Sequence, residues 1–229
     1  MKLSSIFKRE SHISGVDPKR AYEIMGHNFI GMQDAINLCQ KNIYKFEIQR
    51  LQMIPSTEAF LEARRDTHIL VFDLGLSIRN IWSIFHEFFS KCSYHNYKLP
   101  YPYAPFVNNK ACFPVWRLVR KEPVINTNSI INEAIATEQL FRLNGEHVPV
   151  PRTMVYTIIL YYLLSDKWLL YNKGAISVGA RCFGISSNLN GARHGINIAV
   201  ISDDSMGATD GLTFDTCGLV SDLAAETIL

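Results

Sequence analysis

Cys182 and His194 stand twelve residues apart and are the pair in this sequence that comes nearest to nucleophilic catalysis. A thiol becomes a useful nucleophile when an imidazole lies within hydrogen-bond reach and a third group orients that imidazole. A hairpin would bring Cys182 to His194, with Cys217 as a second thiol and a neighbouring Asp as the orienting group. Spacing does not require this. A buried cysteine acting as a small apolar residue accounts for the same positions, and no catalytic residue is assigned.

Other constellations reduce in the same way. Ser202-Asp203-Asp204-Ser205, followed by Asp210 and Asp215, offers oxygen ligands of the kind calcium takes. The spacing matches no EF-hand loop, and Asp in a turn bonds its own backbone. His86, Cys92, His95 and Cys112 have zinc-ligand chemistry, but no second histidine follows His86-Glu87 at metalloprotease spacing. Glycine-rich phosphate signatures are absent. Arg117, Arg120, Lys121 and Arg142 could form a basic nucleic-acid surface, but a formal charge of +2 gives little of the phosphate attraction such binding needs. The expectation is no metal, no cofactor and no nucleic acid.

Binding chemistry remains. Ser186, Ser187, Asn188, Asn190, Arg193, His194, Asp203, Asp204 and Asp210 cluster between short apolar runs, and they are the candidate ligand-binding residues. Tyr97, Tyr101 and Tyr103 lie in the proline-rich stretch YHNYKLPYPYAPF and are candidates for protein contact. Tyrosine contributes large contact area at low entropic cost.

Elements must hold these residues in place. Asp17-Pro18 reads as a helix start that ends at Gly26, with Ala21, Tyr22, Ile24 and Met25 facing inward. Further helices are expected over about 32–41, 57–65, 78–89, 126–141 and 152–164, and strands over 67–73 and 115–120. Residues 92–114 read as a long ordered loop. The apolar run MVYTIILYYLL is too short to span a bilayer and predicts a buried helix. From residue 174 onward, short apolar runs at 196–201, 212–214 and 218–220 alternate with Asn, Asp, Ser and Gly, as in a β meander.

The expected class is therefore α+β: a helix-rich part with one or two strands over 1–145, then a helix and a compact, mainly antiparallel meander over 146–229. The 229 residues suffice for a sizeable core, since 48% are apolar and 19% charged. Five scattered cysteines suit reduced thiols rather than a disulfide framework. The start MKLSSIFKRE lacks the apolar core of a signal peptide, so a cytoplasmic protein without a membrane partner is expected.

Four segments, AYEIMGHNFIGMQDAI (21–36), DTHILVFDLGLSI (66–78), WRLVRKEPVINTNS (116–129) and VPVPRTMVYTIILYYL (148–163), resemble a family of uncharacterised bacterial proteins. That resemblance implies no activity. Over 174–224, Arg181-Cys182-Phe183, Ser186-Ser187, Gly195 to Val200 and Gly218-Leu219-Val220 resemble the last sheet of C-type-lectin-like domains. Some members of that group display ligand-binding residues on this sheet. The chain departs from the pattern in lacking tryptophans near the paired serines, a paired-cysteine framework and a basic final strand.

The function these observations favour is a non-enzymatic binding or display protein, contacting a protein or small ligand through the C-terminal loops. A structural subunit of a larger assembly such as a phage particle, virion-associated and homo-oligomeric, is one alternative. A cysteine-dependent enzyme is the other.

Overall fold

A computed structural model describes residues 15–40, 51–89, 108, 113–122, 145–147, 149–169, 178–187, 193–201, 211–215 and 226–229. Of the expected loop over 92–114 only residues 108, 113 and 114 are among these; the helix over 126–141, the runs at 202–210 and 218–220, and Cys217 lie outside them.

Among the described residues the chain is α+β. Helix α1 (Pro18–Met25) starts as its sequence demands: the Asp17 carboxylate accepts from the Lys19 N–H at 2.8 Å, and Pro18 fills the first turn. It stops at Gly26, whose φ of +56° suits glycine, with the Gly26 N–H on the Tyr22 carbonyl. Ala21 and Met25, four residues apart, are buried. Tyr22, expected inward, is 59% exposed, because it falls beside that stripe; its ring meets the edge of Phe29 instead.

Strand β1 (Phe29–Ile30) is too short to announce itself in sequence. It leads through Gly31 into α2 (Met32–Cys39), and α3 (Glu58–Glu62) follows with Thr57 as its cap. Strand β2 (His68–Asp73) is buried at every position, and α4 (Ile78–Phe85) follows from Ser77. Strand β3 (Val115–Arg120) and helix α5 (Pro151–Ser165) complete this part. The tail supplies β4 (Val178–Ser187), β5 (Arg193–Ile201), β6 (Gly211–Asp215) and β7 (Glu226–Ile228).

These strands form two sheets. A four-stranded mixed sheet has the order β1-β2-β3-β7, with β1 parallel to β2 and the other pairs antiparallel. A three-stranded antiparallel sheet has the order β4-β5-β6. The tail thus serves both sheets, since β7 returns to pair with β3.

Helix α5 lies against β2 of the first sheet and against β4 and β5 of the second. That placement explains its sequence. Pro151 to Tyr161 are all buried, so the helix is covered around its circumference and needs no polar face. The core around it holds Phe72, Trp116 and Tyr156, with the Trp116 Nε1–H on the Leu51 carbonyl at 3.2 Å. No described helix is long and apolar enough to cross a membrane.

Candidate functional site

The β4–β5 register decides which candidate residues meet. Ser186 pairs with His194 and Ser187 with Arg193, at the end of the hairpin nearest its connection. Four candidates from two separate stretches of sequence therefore share one place. Asn188 and Asn190 fall in the connection between them, and Asp203, Asp204 and Asp210 in the next one, all outside the described residues. So do Tyr97, Tyr101 and Tyr103.

Between the Cys182–Ile196 and Ser186–His194 pairs, four steps along β4 match two along β5, so the register shifts there. Cys182 is registered with Ile196, two residues along β5 from His194. Arg181, Asn197 and Asp215 line up across all three strands.

A second constellation joins residues that motif and spacing do not connect. Asp73 ends β2 with no exposure, and two guanidiniums reach it, both more than nine-tenths buried. Arg117 donates from Nε to Oδ2 at 2.7 Å, and Arg152 donates from Nη1 to both oxygens at 3.2 and 3.0 Å. The Gly75 N–H completes the set on Oδ1 at 2.7 Å, in a turn where Gly75 has φ +70°. Register explains the Arg117 contact: Arg117 faces Val71 and so lies diagonally across from Asp73 on the same sheet face.

The opposite face carries a matching group. His68 and Arg120 are direct partners in the β2–β3 ladder, and both turn to Glu146, which is fully buried. His68 Nε2 lies 2.7 Å from Glu146 Oε1, and Arg120 Nη2 lies 2.8 and 3.0 Å from its two oxygens. Thr67 Oγ1 holds the other ring nitrogen at 2.8 Å. Burial pushes the Glu146 carboxyl up, but the hydrogen bonds and charges of His68 and Arg120 outweigh it and hold it below the ordinary range.

The signals for these groups are present in sequence. HILVFD places a charge at the end of an otherwise buried strand, VWRLVR places Arg117 inside the alternation, and Arg152 is the sole charge in α5. A basic surface over Arg117, Arg120 and Lys121 does not form: Arg117 is buried on Asp73, and Arg120 is held by Glu146. Each carboxylate is held by donors from more than one element, so these groups tie distant parts of the chain together. Among the described residues no cluster of His, Cys, Asp or Glu is arranged for a metal ion. Among known proteins, neither a family model, nor a curated protein, nor a solved structure matches this chain.

Proposed function

We propose that this chain is a non-enzymatic binding protein whose contact surface is the connection end of the β4–β5 hairpin. The observation that carries this reading is the register, which sets Ser186 beside His194 and Ser187 beside Arg193. Hydroxyl, imidazole and guanidinium groups at one hairpin end can donate and accept hydrogen bonds toward a ligand. The resemblance of 174–224 to C-type-lectin-like domains supports the same reading, since some members of that group display ligand-binding residues on their last sheet. The partner is then a protein or a small polar ligand.

The test uses the intact chain on glycan and peptide arrays, beside a variant with Ser186, Ser187, Arg193 and His194 all changed to Ala. Capture by the parent and loss in the variant, at unchanged melting temperature, is the expected result. An unfolded variant makes the hairpin end scaffold, and undiminished capture removes it from the contact surface; either outcome overturns the reading.

A cysteine-dependent activity is the second reading, favoured by the β4–β5 pairing, which registers Cys182 with Ile196, two residues from His194. Iodoacetamide labelling of the folded chain at neutral pH decides it: an unreactive Cys182 sinks this reading.

A further inference from the structure

We propose that Thr67 is a nucleophilic hydroxyl, activated by His68 and positioned through Glu146, that takes up the acyl group of an activated ester. Hydroxyl, imidazole and carboxylate are linked in that order. Thr67 Oγ1 lies 2.8 Å from His68 Nδ1, and His68 Nε2 lies 2.7 Å from Glu146 Oε1. This is the order of a nucleophile, its base and the group that orients the base. The two ring nitrogens are exchanged relative to a serine protease, which leaves the proton path unchanged.

The hydrogen bonds fix where each proton sits. Arg120 Nη2 lies 2.8 and 3.0 Å from the Glu146 oxygens and, with His68, holds the carboxylate in its ionised form. An ionised carboxylate only accepts, so Nε2 carries the imidazole proton and Nδ1 of the neutral ring holds a lone pair. The Thr67 hydroxyl has two acceptors in reach, Nδ1 at 2.8 Å and the Arg64 carbonyl at 3.4 Å. That carbonyl already receives the Thr67 and His68 N–H groups, at 3.1 and 2.9 Å. The hydroxyl proton therefore goes to Nδ1, which is the bond a general base needs.

Placement suits a reaction at the surface. Thr67 is exposed, whereas His68 and Glu146 are buried, so the hydroxyl meets solvent while its base is shielded from water. The Thr67 carbonyl takes the Lys121 N–H at 2.9 Å, which fixes the residue at the end of the β2–β3 ladder. As Oγ1 attacks the ester carbonyl carbon, its proton passes to Nδ1. The Oγ1–carbon bond forms, the bond from that carbon to the leaving oxygen breaks, and the leaving group takes the proton from Nδ1. Glu146 offsets the imidazolium charge in between. The event is a single covalent modification of the chain, without turnover, and does not rest on the function proposed for the hairpin end.

The test treats the intact chain with p-nitrophenyl acetate at neutral pH and locates the acetyl groups by peptide mass spectrometry. Thr57 is the internal control: its hydroxyl is exposed too, but its partner is the Phe60 N–H at 3.2 Å. Thr67 should acetylate about a hundredfold faster than Thr57, the low end of what a positioned base contributes. In Glu146→Gln, Arg120 holds the amide oxygen and the amide nitrogen faces Nε2, so the imidazole proton moves to Nδ1 and the base is lost. Thr67 should then slow to the rate of Thr57, with the circular dichroism spectrum unchanged. Equal rates at the two threonines in the parent overturn the proposal, whatever the variant does. So does a folded variant that acetylates Thr67 as fast as the parent. Should the variant unfold, the comparison within the parent decides alone.

Discussion

Replacing Glu146 with glutamine keeps the shape of the side chain and removes the carboxylate that His68 and Arg120 share. Breaking a buried ion pair by deleting one partner costs about 3–5 kcal/mol, because a charge is left in a poor solvent. The Arg120 side chain is 25% exposed, so water recovers part of the loss, and the glutamine oxygen still accepts one bond. The expected cost is therefore at the lower end, about 3 kcal/mol. That is a large share of the roughly 5–15 kcal/mol typical of a folded domain. Urea unfolding followed by circular dichroism at pH 7 measures it. The pH dependence has a definite sign. Glu146 titrates lower in the folded chain than in the unfolded one, where a glutamate sits at about 4.3. Its contribution is complete above that value and is lost as pH falls through the folded value. The gap between parent and Glu146→Gln should therefore narrow in acid. A gap below about 1 kcal/mol at pH 7, the size of an exposed pair, would refute the reasoning. So would a gap that stays constant down through the acid range.

Asp73→Asn removes the carboxylate shared by two buried guanidiniums and should cost about 3–5 kcal/mol in the same unfolding assay, with a normal circular dichroism spectrum if the chain still folds. Tyr156→Phe deletes the hydroxyl that donates to the Phe72 carbonyl at 2.9 Å, a loss of about 1 kcal/mol at neutral pH. Burial, with Cys39 and Asp73 nearby, holds the Tyr156 phenol well above its ordinary value. The unfolded tyrosine ionises near pH 10, so the parent loses stability as pH rises past that point, and the variant should lose less. Alkaline unfolding curves of the two proteins that run parallel would contradict this.

Local chemistry makes much of the frame legible. Asp17-Pro18, Thr57 and Ser77 are caps whose side chains bond the first turn, and each starts a helix within a residue or two of its expected place. Strand β2 is readable from its β-branched, apolar run, and β3 from its alternation. What sequence hides is long-range. Two-residue β1 exists because β2 offers it a parallel partner, and β7 because β3 has an open edge. The charge groups are hidden for the same reason. Asp73 and Arg152 lie 79 residues apart, as His68 and Glu146 lie 78 apart, and no periodicity links them. An arginine in a buried helix signals a partner but does not say which.

The segment from Glu146 to Arg152 shows how the two sequence regions are joined. Alternation puts His68 and Arg120 on one face of the β2–β3 pair and Asp73 and Arg117 on the other. Glu146 fastens the chain to the first face, and six residues later Arg152 fastens it to the second. Helix α5 begins at that second anchor and runs against β4 and β5. The start of the helix is therefore fixed by buried charge, and the tail sheet rests on the helix. A substitution that loosens Arg152 frees the helix and the sheet together, so loss of binding in such a variant would not distinguish contact from collapse. A substitution at Ser187 or Arg193 touches neither anchor. Loss of ligand capture there, at unchanged melting temperature, can only report on the hairpin end itself.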